Sequence, residues 1–257
     1  MPSPYGDLDR PPLRVAALRR ALEPDGWRVE VLDVVGSTNA VVVERARAGE
    51  PAGLVVVAEQ QTAGRGRLDR SWVSPPRAGL TFSVLLRPGW PTEQLPWLPL
   101  LGGLAVATAL REQAELDAVV KWPNDVLVAE RKVCGLLAEV PAPGAVVLGI
   151  GLNVTTRQDE LPHEGATSVR LQDGGTTDRD TLLRALLRAL RDVLADPAGS
   201  RERYRELCAT VGRQVRVERP GRSPATGRAT AVDDAGRLVV AGQAYAAGDV
   251  VHATPVR

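Results

Sequence analysis

The chain has 257 residues, 44% of them hydrophobic, and sets 32 basic against 31 acidic side chains for a formal net charge of +1 at pH 7. That balance supplies no global field to gather nucleic acid or an anionic membrane, so any anion site has to be local. The length allows one large domain with a smaller one beside it; Cys134 and Cys208 have no metal or disulfide spacing and read as buried free thiols.

Met1 to Pro12 carries prolines and charges where a secretory leader needs an apolar run, which predicts a cytoplasmic protein. Leu13 to Leu22 has helical spacing and stops at Glu23-Pro24. Trp27 to Val35 and Leu54 to Gln60 read as Val-rich strands around a helix from Asn39 to Ala48, with Ser37 or Thr38 as its N-cap. Gly79 to Leu86 is a further strand. Leu95 to Ala114 reads as a buried helix, since Leu95 to Leu110 is too short and too interrupted by Pro and Gly to span a bilayer. Ala118 to Lys121 leads into a turn, Val126 to Ala129 and Lys132 to Val140 form a hairpin about Glu130-Arg131, and Ala145 to Val154 is another apolar strand. The expected centre is a mixed sheet flanked by helices. Asp178 to Ala209 suits two helices broken at Asp196-Pro197. From Gly212 on, the strands Gln214 to Val217, Gly227 to Val232, Arg237 to Val240 and Asp249 to His252 predict a small all-β barrel, too short to be stable without the larger domain.

Only two of the basic residues are lysines, Lys121 and Lys132, and there are three asparagines, Asn39, Asn124 and Asn153; all five lie in short motifs. A site shaped for an ammonium rejects the guanidinium fork, so lysines kept in an Arg-rich chain are candidates for chemistry. Glu59 to Trp72 follows a strand and is too polar and glycine-rich to pack. Its Gly64-Arg65-Gly66-Arg67 run, with Arg70, brings donors and close backbone approach to an anion, and Trp72 adds a face for stacking. A solvated basic loop would explain a bare Gly-Arg-Gly-Arg run, but this one is set between two strands. Lys121 precedes Trp122-Pro123-Asn124-Asp125, a turn whose proline holds its direction; Lys132, near Gly135, reads equally well as an exposed hairpin residue. No Walker motif occurs, Gly149-Ile150-Gly151 lacks the remainder of a dinucleotide fingerprint, and His163 and His252, the only histidines, make a His-dependent triad or metal site unattractive.

Taken together, Ser37-Thr38-Asn39, the Gly64 to Arg67 loop, Lys121 to Asp125, Lys132 to Gly135 and Gly149 to Asn153 resemble, in order and spacing, a biotin protein ligase of the biotin–[acetyl-CoA-carboxylase] type. The resemblance implies a class II synthetase-like α/β domain over 1–211 and an SH3-like barrel over 212–257. It implies activation of biotin by ATP and Mg²⁺ to biotinyl-5′-AMP, then transfer to a lysine of the biotin carboxyl carrier domain of an acyl-CoA carboxylase. By motif, biotin would be held by Ser37, Thr38, Asn39, Gln61, Gly64, Arg65, Gly66, Arg67, Lys121 and Gly135. ATP would meet Arg67, Arg70, Trp72, Lys121, Asn124, Lys132 and Asn153. Lys121, Arg65 and Arg67 would act catalytically, with no protein metal site. Leu68-Asp69 stands where many relatives have a further glycine, which bears on how the loop orders. Too few residues precede the first strand for a winged helix-turn-helix, so a ligase without operator binding is expected; no nucleic acid or membrane partner and a monomer or weak homodimer are the further expectations. A lipoate ligase, a biotin-responsive regulator without turnover and a nucleic-acid-binding barrel are the alternatives; the last is disfavoured because Tyr245 is the only aromatic after Gly212.

Overall fold

A computed structural model describes residues 9–68 and 70–252, leaving Asp69 and the two chain ends outside the described residues. Seven strands form the main sheet: β1 (Arg28–Val35), β2 (Leu54–Gln61), β3 (Gly79–Leu86), β4 (Ala118–Lys121), β5 (Asp125–Val128), β6 (Arg131–Ala142) and β7 (Ala145–Asn153), in the order β1-β2-β3-β7-β6-β5-β4. Among these seven strands only β1 and β2 pair in parallel, as the strand, helix, strand reading requires. The mixed sheet flanked by helices is as expected.

The inner strands are predominantly apolar because both faces are covered. Helices α1 (Val15–Leu22), α3 (Trp97–Ala114), α4 (Arg179–Ala195) and α5 (Pro197–Leu207) share one core with Val55, Val57, Leu80, Phe82 and Val84. On the opposite face, α2 (Thr38–Arg47) seats Val42, Val43 and Ala46 against Leu54, Val56, Leu85 and Val147. Helix α3 is apolar on all sides over most of its length, hence buried there, and exposes only its last polar turn. It begins two residues later than its sequence pattern because Thr92–Gln94 forms a short 3₁₀ turn. Asp178 and Asp196 cap α4 and α5 by accepting the amides of Asp180 and Gly199.

A buried ion pair ties the N-terminal segment down. Glu59 accepts Arg179 Nη1 at 2.6 Å and the Leu13 amide at 2.8 Å, while Arg179 also donates to the Pro11 carbonyl at 2.6 Å. The β5–β6 turn is Ala129-Glu130, both with positive φ (47° and 63°), a two-residue hairpin without the usual Asn or Gly.

The C-terminal strands are β8 (Gln214–Arg219), β9 (Arg222–Val232), β10 (Leu238–Val240), β11 (Gln243–Tyr245) and β12 (Asp249–His252), an antiparallel sheet in the order β11-β10-β9-β8-β12. It has five strands where the sequence pattern predicts four; β11 is only three residues long and turns off β10 at Ala241-Gly242. Val215, Val217, Val232, Leu238 and Val250 join the main core. Trp97 and Trp122 donate their indole N–H groups to the carbonyls of Asp234 and Gly236 at 2.8 and 3.0 Å, so the small sheet leans on the large one.

Candidate active site

Helix α2 covers only part of its sheet face. Beyond its N-terminus the same face carries Thr81 and Ser83 on β3, Gly149 and Gly151 on β7, and Gly135 on β6, whose small side chains leave a floor with depth above it. A cavity of about 490 Å³ lies there, in the range of small-molecule sites. Ser37, Thr38, Asn39, Gln61, Arg65, Gly66, Arg67, Arg70, Trp72, Lys121, Asn124, Lys132, Gly135 and Asn153 all line it. Gly64 does not. It supports the wall from behind, where a Cβ would stand 2.5 Å from the Trp72 carbonyl oxygen.

Ser37 occupies the N-cap position of α2, but its hydroxyl makes no capping bond. The N-terminus is instead held from across the sheet, with Gln61 Oε1 accepting the Thr38 amide at 2.7 Å and the Thr38 hydroxyl at 3.0 Å. Ser83 Oγ lies 2.7 Å from Thr38 Oγ1 and 2.6 Å from Asn39 Oδ1, and Asn39 Nδ2 donates to Glu139 at 2.8 Å. Buried polar atoms are thus saturated by one another on the inner side. Ser37 lines the cavity and its hydroxyl takes no part in this network. Ser83 and Glu139 belong to none of the motifs; a polar residue at period two in an otherwise apolar strand, Thr81 and Ser83, is the signal that marks the floor.

The loop after β2 is folded back on itself. Gly64 accepts the Trp72 amide at 2.9 Å and Gly66 donates to the Arg70 carbonyl at 2.6 Å. Each arginine docks on a different element: Arg65 on Glu139 of β6 at 3.0 Å, Arg67 on Asn124 at 3.1 Å, and Arg70 on Asp249 of β12. Asn124 donates its amide nitrogen to Leu136 O at 2.9 Å, fixing the Lys121 turn to β6. The Trp72 indole lies against Gly135 and Gly151, with Lys132 Nζ 5.8 Å from its ring centre. Leu68 adopts φ +52°, in the left-handed region that favours glycine.

Lys121 ends β4, half-buried, between the core residues Val120 and Trp122. Burial pushes its ammonium below the ordinary lysine value against the opposing pull of Asp125, and Lys132 and Arg70 add repulsion. Burial likewise depresses Arg67. Lys132 pairs with Asp125 at 2.6 Å, which makes it a cavity cation and not the exposed hairpin lysine its sequence also allowed. Several cations held where charge is poorly solvated favour an anionic occupant, because an anion offsets both desolvation and mutual repulsion. Cys134 is fully buried, and burial drives its thiol far above the usual range, so it is no nucleophile. His163 lines the cavity; among the described residues no cluster of His, Cys, Asp or Glu could hold a metal ion. The carboxylates at the cavity are already paired: Asp125 with Lys132, Glu130 with Arg213, Glu218 with Arg216, Asp249 with Arg70. The residues therefore form no cage for Mg²⁺.

Residues 31–156 match the family model described as the Biotin/lipoate A/B protein ligase family, and residues 210–252 match the Biotin protein ligase C terminal domain. The chain is 41% identical to the biotin–[acetyl-CoA-carboxylase] ligase of Mycobacterium tuberculosis, over 96% of this chain and 98% of that protein. It is 38% identical to the bifunctional ligase/repressor BirA of Bacillus subtilis over 60% of this chain, a span equal to 50% of that longer protein. Its fold is similar to that of the Aquifex aeolicus biotin protein ligase in complex with biotin and ATP, with a TM-score of 0.75, 29% identity and coverage of 88% and 99%. The Leishmania major biotin protein ligase in complex with biotinyl-5-AMP aligns with a TM-score of 0.63 and 26% identity, over 88% of this chain and 98% of that one.

Proposed function

The chain belongs to the biotin/lipoate A/B protein ligase family, and on that premise we propose that it is an ATP-dependent biotin–[acetyl-CoA-carboxylase] ligase. A biotin carboxylate oxygen attacks the α-phosphorus of ATP, pyrophosphate leaves, and the mixed anhydride biotinyl-5′-AMP remains. A carrier lysine amine then attacks the acyl carbon; the C–O bond to phosphate breaks, AMP leaves and the amine loses a proton.

One observation carries the reading: Lys121, the loop arginines and the small-residue floor converge on a single cavity. Biotin's head group is uncharged, and a buried ureido left unpaired would lose about 1–3 kcal/mol per group. Ser37 offers its hydroxyl as a short polar partner on the floor, and Thr38, Asn39 and Gln61 would meet the ureido by exchanging the partners they hold. Arg65, Gly66, Arg67 and Lys121 face the carboxylate and α-phosphate. Charge builds at phosphorus in the transition state, and a fixed donor there contributes about 3–4 kcal/mol. Trp72, Arg70, Asn124, Lys132 and Asn153 take the nucleotide side, Gly64 shapes the wall, and Gly135 with Gly151 keeps the floor low. Mg²⁺ would be carried on the ATP oxygens, where it would shield the triphosphate charge.

The boundary between ligase domain (1–211) and C-terminal domain (212–257) falls after the Cys208–Thr210 segment. The acceptor is a biotin carboxyl carrier domain of an acyl-CoA carboxylase, and the enzyme acts in the cytoplasm as a monomer or weak homodimer. No helix among the described residues is long and apolar enough to cross a membrane. The test is to supply ATP, Mg²⁺ and either biotin or lipoate, with and without carrier domain. Biotin-dependent pyrophosphate release and carrier labelling are expected; release with lipoate alone would transfer the assignment to the lipoate branch, and neither would remove it.

A further inference from the structure

Lys121 sits at the end of β4, the edge of the seven-stranded sheet, where a free strand would fray. The segment Cys208–Thr210 closes that edge on both sides of the lysine. Ala209 donates its amide to the Val120 carbonyl at 2.9 Å, and the Trp122 amide donates to Thr210 Oγ1 at 3.1 Å. Thr210 Oγ1 has a second partner, His252 Nε2 at 3.1 Å, from the C-terminal sheet. Arg213 Nη1 stands 3.5 Å from His252 Nδ1 and grips Glu130 through both carboxylate oxygens at 2.6 Å. A guanidinium only donates, so Nδ1 accepts and the neutral ring carries its proton on Nε2. Thr210 Oγ1 then accepts from both the Trp122 amide and the imidazole, and the ring cannot rotate without losing one partner.

We propose that His252 is a positioning residue for Lys121, acting through Thr210 on the turn that carries the ammonium. This goes beyond the ligand contacts of the ligase reading, on whose chemistry its kinetic readout rests. The charged groups that face Lys121 are Asp125, Lys132, Glu130 and Arg70 from the ligase domain and His252 from the C-terminal sheet. Burial first, and then the positive charges of Lys121 and Arg213, drive the imidazole pKa down to about 4. The ring is therefore a neutral donor throughout the physiological range.

The chain has two lysines, so lysine labelled with ¹³C and ¹⁵N yields two side-chain amine signals in the full-length protein, assigned with Lys132→Arg. Thr210→Val and His252→Leu are expected to move the Lys121 signal and raise its titration midpoint toward the ordinary lysine value, with the Lys132 signal in place. Thr210→Ser and His252→Gln, which keep an acceptor and a donor, should leave both signals where they are. In biotin-dependent pyrophosphate release, the first pair should lose about tenfold in kcat with KM for ATP within about twofold, and the conservative pair should retain activity. A Lys121 signal unmoved by Thr210→Val overturns the proposal, as does a Thr210→Ser shift equal to that of Thr210→Val. The threonine pair decides even if His252→Leu fails to fold. A wild type that releases no pyrophosphate removes the ligase reading instead, and the lysine signals still decide the positioning claim.

Discussion

Gly151→Ala separates ligand binding from folding. A Cβ at this position would stand 2.4 Å from Trp72 Cε2 and 2.7 Å from both Cζ2 and Nε1. Ordinary contact begins near 3.4 Å, so the indole must retreat by about 1 Å, and its neighbour Gly135 gives the ring no side chain to lean on. Trp72 sits on a loop and is half-buried, so the stability cost is at the lower end of overpacking, about 1 kcal/mol. A misplacement of that size at a reacting centre costs on the order of a hundredfold in rate. Biotin-dependent pyrophosphate release should therefore fall by one to two orders of magnitude while thermal unfolding shifts by only a few degrees. Gly149→Ala is the contrast, because its Cβ would meet Asn39 Oδ1 at 2.2 Å, inside the saturated buried network. That change should cost stability as well as activity. In a Trp72→Ala background the Gly151→Ala penalty should vanish, a coupling of about 1.4–2.7 kcal/mol in the double-mutant cycle. Additive losses, or an unchanged Gly151→Ala enzyme, would refute the idea that the indole and the glycine floor form one surface.

Three further outcomes are expected. Lys121→Ala should abolish turnover by at least about a hundredfold in kcat, and Lys121→Arg should not restore it, since a fork does not replace a compact ammonium in a half-buried socket. Glu59→Gln should lower unfolding free energy by about 3–5 kcal/mol in urea titrations, because Arg179 is left buried without its carboxylate; a loss below about 1 kcal/mol would show that the pair is dispensable. Stability should fall with acid through His252: its folded pKa of about 4 lies below the unfolded value near 6.5, so the unfolded chain binds the extra proton between those values and folding weakens as pH drops. Allowing for partial exposure, wild type should lose about 1 kcal/mol more than His252→Gln between pH 7 and 5. Glu130 and Glu160 are held low by Arg213 and Arg10; they weaken folding at lower pH and are common to both proteins.

The inner strands of the main sheet are legible in sequence because they are covered on both faces and are rich in Val and Leu. Short motifs placed nearly every site residue on the cavity for a related reason: polar groups at strand ends and helix starts have few other uses. What the motifs do not disclose is who holds them. Ser83, Glu139, Thr210 and Asp249 reach the site from strands and segments far apart in the chain, and only the sheet order brings them together. Ser37 illustrates the limit, since a local capping rule predicts its hydroxyl bonded to the helix, whereas Gln61, more than twenty residues on, does that work. The Ala129-Glu130 turn is likewise silent, because neither residue favours positive φ and the conformation is imposed by the strands and by Arg213.

The loop arginines meet the ligand cavity already occupied. Glu139 and Asp249 act as resident counter-anions, so on the proposed chemistry a phosphate or carboxylate arrives by exchange and its apparent affinity is the difference between two ion pairs. The same carboxylates stand ready to reclaim the guanidinium groups once pyrophosphate or AMP loosens. A surface that competes with its own substrate in this way trades tightness of binding for speed of clearance.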